Sequence, residues 1–452
     1  MSIKVVSLVL NDVSRDARVL KVADSLANLG YQSEILGVMT KVPREEFERR
    51  TSGATIRRTH APVQVYYHFI KRAMLTLGLT WGLTGACLFA LYWNGLFPIG
   101  FITWALASAL SLTGLLSRNK IRPFIIHHIP RLLRRRANRF IEYLFMKHLV
   151  RVLEEIQPDV VHCNDFNMLP AGAAYKKRTS GRVKVVYDSH EIYEEMSGRD
   201  PAHRERIVVK QAELANAVDA FITVNAPIQK YLNEKYPALP RGRVVYNATP
   251  KTDVPKYDGC LHTAVNLTPQ TRILLFQGGF AKNRGLEKIV RLATYLPDGW
   301  ALVMMGWGPI EEELANLAAE LGISGSKVKF CPGVPQDQLP LWTAGASLGV
   351  IPYENTCLNH WYCSPNKLWE YPRSGVPILA SDFPVLRQFI NEHDLGWTSD
   401  FSEESFTGLF NAPNFDIDLE LKSQSAAAFS QKHTWEESEQ VLKTIYAELL
   451  QD

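Results

Sequence analysis

Four short segments of this 452-residue chain place reactive side-chain types at spacings that suggest chemistry. The first runs Phe276-Gln277-Gly278-Gly279-Phe280-Ala281-Lys282-Asn283-Arg284-Gly285, after an apolar run and before a helical pattern. Gly278 and Gly279 allow a ligand to approach the backbone closely. Main-chain N–H groups at a helix start favour phosphate, and Arg284 can add charge-assisted bonds. A surface turn with incidental glycines is the other reading. The second is Ser364-Pro365-Asn366-Lys367-Leu368-Trp369-Glu370-Tyr371. Ser364 fits an N-cap and Pro365 the first helical position. Lys367 in a first turn opposes the helix dipole unless it meets an anion, which points to a diphosphate. Glu370, one turn on, can accept from a ribose diol or pair with Lys367 within the helix.

The third segment, Tyr187-Asp188-Ser189-His190-Glu191, follows a predicted strand. A histidine at the carboxyl end of a parallel strand faces the crevice of an open α/β sheet. His190 can donate to a sugar hydroxyl or a departing phosphate, and the carboxylates of Asp188 and Glu191 flank it. The structural alternative is a histidine that only packs. The fourth, His162-Cys163-Asn164-Asp165, also ends a strand. Asp165 can accept from a sugar hydroxyl or cap the next helix, and the sequence does not separate the two.

Short apolar runs alternating with helical patterns must position these residues. The runs at 4–10, 32–38, 160–162, 183–187, 220–224 and 244–246 predict one parallel sheet. Residues 251–267 contain Pro255 and Gly259, lack periodicity and read as a linker. A second series begins at 273. The expected architecture is two doubly wound α/β domains, 1–250 and 268–430. A final helix within 431–452 can pack back on either domain.

Length supports two domains. The net charge of +4 says little about partners, but no Asp or Glu stands between Glu48 and Glu142. Ala73–Ser117 carries no charge, and Lys71, Arg72, Arg118, Lys120 and Arg122 flank it. Its two segments, about 73–93 and 97–116, each suit a hydrocarbon core of about 30 Å. Basic flanks keep both ends cytoplasmic, so a membrane hairpin over 73–117 is expected. A buried helical pair in a soluble core is the alternative. Residues 130–150 carry five arginines and apolar residues at helical spacing, as in a helix on anionic headgroups. Nucleic acid is not expected as a partner, because no aromatic platform interleaves the basic stretch. The six cysteines are scattered, which argues against disulfides and zinc. The N-terminus shows no signal-peptide pattern.

Together the segments NDVSRDARVLK, VVHCNDFNMLPAG, VVYDSHEIYEE, VVYNATP, FQGGFAKNRGLEKIV, GWGP and SPNKLWEYPRSGVPILAS resemble the GT4-type glycosyltransferases of the GT-B fold. The resemblance spans most of the chain outside the apolar run. It implies a GT-B fold and a metal-independent, retaining transferase that takes sugar from a nucleotide-diphosphate donor. It places Arg284 and Lys367 on the diphosphate, Glu370 on the ribose and His190 near the transferred sugar. It sets Gly306 and Gly308 beside the nucleotide base, with Gly278, Gly279, Ser364 and Asn366 completing the donor side. Asp165, Asp188 and Glu191 are expected on the acceptor side.

No metal or other cofactor is expected. Two positions depart from the family: no arginine follows the first glycine, and Tyr362 stands where many members carry a first glutamate. Glu354, the nearest carboxylate, has the wrong spacing. With the hairpin, the expectation becomes an enzyme on the cytoplasmic face of the inner membrane. Its acceptor would be a polyprenyl-diphosphate-linked glycan, in cell-surface glycan assembly, with anionic lipids as partners. A sugar-nucleotide epimerase of the same fold and a catalytically silent membrane scaffold are the competing readings.

Overall fold

The computed structural model describes residues 2–14, 16–39, 45–62, 65 and 131–451. The chain divides into two compact units: Met1–Gly37, Phe47–Arg57 and Pro158–Asp452 form one, and Val38–Glu46 with Arg58–Gln157 the other.

The first sheet contains β1 (Lys4–Leu8), β2 (Gln32–Val38), β3 (Phe47–Arg49), β4 (Thr55–Thr59), β5 (Val160–Asn164), β6 (Lys184–Ser189), β7 (Ala220–Thr223) and β8 (Arg243–Val244). Its order is β3-β4-β2-β1-β5-β6-β7-β8. All the pairings from β2 to β8 that carry the site are parallel, and β3 lies antiparallel on β4. The β3–β4 hairpin was not visible in the sequence, because Thr55–Thr59 reads TIRRT and lacks an apolar run.

The second sheet contains β9 (Arg272–Gly279), β10 (Trp300–Trp307), β11 (Val328–Pro332), β12 (Leu348–Ile351), β13 (Ile378–Ser381) and β14 (Gly396–Ser399). Its order is β11-β10-β9-β12-β13-β14, parallel throughout. The order reverses beside β9, so ligands are expected at the carboxyl end of that strand. The strands bury almost every side chain (β9 and β10 are covered on both faces), hence their unbroken apolar runs.

The segment read as a linker carries a short helix, Cys260–Ala264, entered through Gly259 at φ 88°. The last helix, Trp435–Leu449, packs on the first sheet. Trp435, Leu442, Ile445, Tyr446 and Leu449 share one apolar cluster with Val5, Val22, Leu26, Val160 and Val186. Trp435 Nε1 donates to Ser25 Oγ at 2.8 Å.

The expectations of a membrane hairpin, a transmembrane helix and a membrane-inserted location are corrected. Among the described residues no helix is long and apolar enough to cross a membrane. Residues 73–117, on which those expectations rested, lie outside the described residues. Among the described residues the fold is the two α/β sheets. The arginine-rich stretch is part of a helix, Arg131–Ile156. Its length is sufficient for a span, but charged residues run along it. Phe145, Leu149, Val150, Leu153 and Ile156 are buried, so protein and not a lipid surface covers that part of its apolar face.

The C-terminal helix tests how far this packing matters. Leu442 is fully buried. Leu442→Ala is expected to lower unfolding free energy by about 2–4 kcal/mol, read by urea denaturation. A change below about 0.5 kcal/mol would show that the helix contributes little to the first sheet.

Candidate active site

The carboxyl end of β9 supplies Gln277, Gly278 and Gly279. Gly278 adopts φ +121°, which an L side chain resists. A methyl group there would lie 3.2 Å from Lys367 Nζ, and one on Gly279 would lie 3.4 Å from Arg284 Nη1. The two cations therefore converge on the same glycine turn from separate segments, Arg284 before the helix Leu286–Leu292 and Lys367 at the start of the helix Lys367–Arg373. Arg284 Nη1 donates to the Gly279 carbonyl at 3.2 Å. Lys367 is buried and lies over the Phe276 ring. Among the described residues neither cation forms an ion pair, which leaves their charge for an anion.

The helix begins two residues later than Ser364 capping requires. Asn366 occupies the N-cap position without a side-chain cap. Ser364 Oγ is buried with no hydrogen-bond partner. The alternative, an intrahelical Lys367–Glu370 pair, does not form. Glu370 instead accepts from Gln277 Nε2 at 2.9 Å, and Gln277 Oε1 accepts from Thr343 Oγ1 at 2.7 Å. Gln277 was missed in the sequence because its partners are distant in the chain. Gly306 pairs in register with Gly278. A methyl on Gly306 would meet the Gly278 carbonyl at 1.9 Å, and one on Gly308 the Phe280 carbonyl at 2.1 Å. Both glycines thus let the β9 turn pass close by.

His190 follows β6 in the first sheet. Its Nδ1 lies 3.5 Å from Asp165 Oδ2, and its Nε2 3.5 Å from Asp188 Oδ2. Burial opposes the charged ring, but Asp165 and Asp188 outweigh it and raise the imidazole to about 9. His190 is therefore a cation at neutral pH. Asp165 sits at φ 61°, and its Oδ1 accepts from the His190 backbone N–H at 3.0 Å, so it does not cap the next helix. Burial raises its carboxyl, as it does that of Glu191, which also feels Asp165, His190 and Arg284.

Asp188 is fully buried and paired with Arg18, whose Nε and Nη2 donate at 2.9 and 2.7 Å. Burial disfavours that carboxylate, yet Arg18, His190 and His162 hold it well below the usual range. Asp188 is thus enclosed by Arg18, His162 and His190, and its 3.5 Å approach to His190 Nε2 is a charge contact without a hydrogen bond. Arg18 was not singled out in the sequence, and neither was Lys21. Lys21 donates to the carbonyls of Asn247 and Ala248. Burial, then Arg18, lowers its ammonium to about 7, although Glu370 opposes this. Two bonds tie the first sheet's loops to the segment before Lys367: Ile192 N donates to Asn359 Oδ1 and Asn225 Nδ2 to the Tyr362 carbonyl, both at 2.8 Å. Tyr362 thus contributes its backbone where the family places a glutamate. Among the described residues no group of His, Cys, Asp and Glu is arranged to hold a metal ion.

His190 and Lys21 carry opposite pH signatures. A histidine raised to about 9 adds stability that is complete below its unfolded value and is lost as pH rises through about 9. A lysine lowered to about 7 opposes folding below that pH and ceases to do so as pH rises. The two contributions offset each other, so site-resolved NMR is the direct measurement. His190 is expected to titrate near 9. Asp165→Asn is expected to bring it down by about one unit or more, since one partner charge is lost. Arg18→Ala strands a buried carboxylate and is expected to cost about 3–5 kcal/mol in urea unfolding.

Residues 104–251 match the sequence model of Glycosyltransferase Family 4, and residues 271–407 match that of Glycosyl transferases group 1. The first match begins inside the second apolar segment. The chain is 26% identical over 245 residues to D-inositol 3-phosphate glycosyltransferase of Nocardioides sp., covering 47% of this chain and about half, 52%, of that protein. Sucrose-phosphate synthase of Thermosynechococcus elongatus shares the fold at a TM-score of 0.66, with 13% identity over 99% of each chain. HepE of Anabaena, in complex with UDP and glucose, superposes at 0.61 with 14% identity, over 99% of this chain and 100% of that one. By family match and fold, the chain is similar to nucleotide-sugar-dependent glycosyltransferases and has a fold of the GT-B type, which supports an enzymatic function in sugar transfer.

Proposed function

We propose that the chain transfers a sugar, with retention at the anomeric carbon, from a nucleoside-diphosphate sugar to a saccharide hydroxyl. One observation carries this reading: Arg284 and Lys367, both without ion pairs among the described residues, converge on the Gly278-Gly279 turn. The diphosphate lies against that turn. As the glycosidic bond breaks, negative charge grows on the leaving diphosphate, and the two fixed cations stabilise it. Glu370, held by Gln277, accepts from the ribose hydroxyls. Gly306 and Gly308 keep the floor beside the base low enough for it to enter.

His190 serves on the opposite side as a charged donor to a sugar hydroxyl or to the departing phosphate. Asp188 and Arg18 act through it by setting the charge that faces its ring. Asp165 and Glu191 border the acceptor. HepE is a UDP-binding relative, so UDP-sugars head the candidates. The idea of a lipid-linked acceptor rested on residues 73–117, so the proposal extends only to the saccharide hydroxyl.

A thermal-shift panel of UDP-, GDP-, ADP- and dTDP-sugars tests the donor site and identifies the base. Arg284→Ala and Lys367→Ala are each expected to weaken the stabilising donor about tenfold or more, through loss of charge-assisted bonds. Unchanged affinity in both would remove the diphosphate assignment. Incubation with the sugar nucleotide alone is expected to leave its sugar unaltered. An epimerised donor appearing without acceptor would favour the epimerase reading.

A further inference from the structure

Two like charges held close together without a carboxylate between them repel, and a folded site must restrain them in some other way. Tyr353 lies where it can do so. Its ring is 5.8 Å from the Arg284 guanidinium carbon and 5.6 Å from Lys367 Nζ. Lys367 Nζ is also 5.0 Å from the Phe276 ring. These distances lie within the range where a cation is attracted by the electron-rich face of an aromatic ring, about 6 Å.

Tyr353 follows β12 and is fixed independently of any ligand. Its carbonyl accepts from Ser381 Oγ at 2.6 Å. The preceding Pro352 carbonyl is packed so closely on Gly285 that a methyl there would meet it at 1.7 Å. His360 lies against the ring with centroids 5.6 Å apart. Burial, reinforced by Arg284, keeps the His360 imidazole below its ordinary value, so it adds no charge at neutral pH.

We propose that Tyr353 is a positioning residue of the donor site, whose ring holds Arg284 and Lys367 together and un-neutralised before the diphosphate arrives. A carboxylate in that place would hold the cations equally well, but it would compete with the ligand for them. An aromatic face attracts each cation without cancelling its charge. Phe276 completes the restraint on Lys367 from the floor of the site. The inference rests on the proposed donor site and adds a residue that neither the glycine turn nor the lysine motif contains.

Inorganic pyrophosphate is the probe, because its binding needs no base, and calorimetry is the measurement. Lys367→Ala is the reference for loss of the cation itself. Tyr353→Leu is expected to raise Kd about five- to tenfold, with Tyr353→Phe within about twofold of the unaltered chain. A ring-fluorinated phenylalanine at the same position keeps shape and packing but drains the ring face. It is expected to weaken binding relative to Tyr353→Phe, which a purely structural ring would not show. Equal affinity for the fluorinated and unfluorinated rings would overturn the inference, even if Tyr353→Leu fails to fold. If the unaltered chain does not bind pyrophosphate, or Lys367→Ala binds as well as it does, the donor-site reading falls and the inference with it.

Discussion

The buried ion pair between Arg18 and Asp188 is the interaction on which the N-terminal side of the site depends. Arg18 uses Nε and Nη2 on the carboxylate and Nη1 on the Val245 carbonyl and Asn247 Oδ1. One guanidinium thereby joins the first helix, the end of β6 and the segment leading out of the first sheet. Removing two charges from water is costly, and a bidentate geometry with further acceptors is what makes it tolerable. The same carboxylate oxygen that meets Arg18 Nε is also near His162 and His190. The charge that faces His190 is therefore set by how Arg18 is seated. Tyr446, on the last helix, donates to or accepts from His162 at 2.8 Å, which links the C-terminal helix to the same centre.

The C-terminal side solves the opposite problem. There the charges must stay available, so the structure gives Arg284 and Lys367 aromatic neighbours and backbone contacts where the first sheet supplies a carboxylate. Glycines at 278, 306 and 308 remove the side chains that would separate β9, β10 and the turn beyond them. Preorganised charge of this kind needs no rearrangement when a diphosphate binds or departs, which is how such sites lower a barrier.

Much of this was legible in the chain. Unbroken apolar runs marked the parallel strands, since strands covered on both faces cannot alternate. The reactive residues could be found because each stands at a strand's carboxyl end or a helix start, where local pattern is informative. Hairpin β3–β4 and strand β14 escaped because their short runs carry polar residues that tertiary packing tolerates. The membrane expectation came from the length, apolarity and flanking charge of residues 73–117, which lie outside the described residues.

The sequence by itself determined the two α/β series, the glycine turn and the cations proposed for a nucleotide diphosphate, because these depend on neighbours within a few positions. Only the tertiary structure decided who holds whom. Gln277 meets Glu370 across 93 positions, Arg18 meets Asp188 across 170, and His162 meets Tyr446 across 284. It also decided that Asp188 is buried scaffolding, that Asp165 serves the His190 backbone, and that the last helix returns to the first sheet. Such pairings follow from which strand ends the sheets bring side by side, and no periodicity along the chain encodes that.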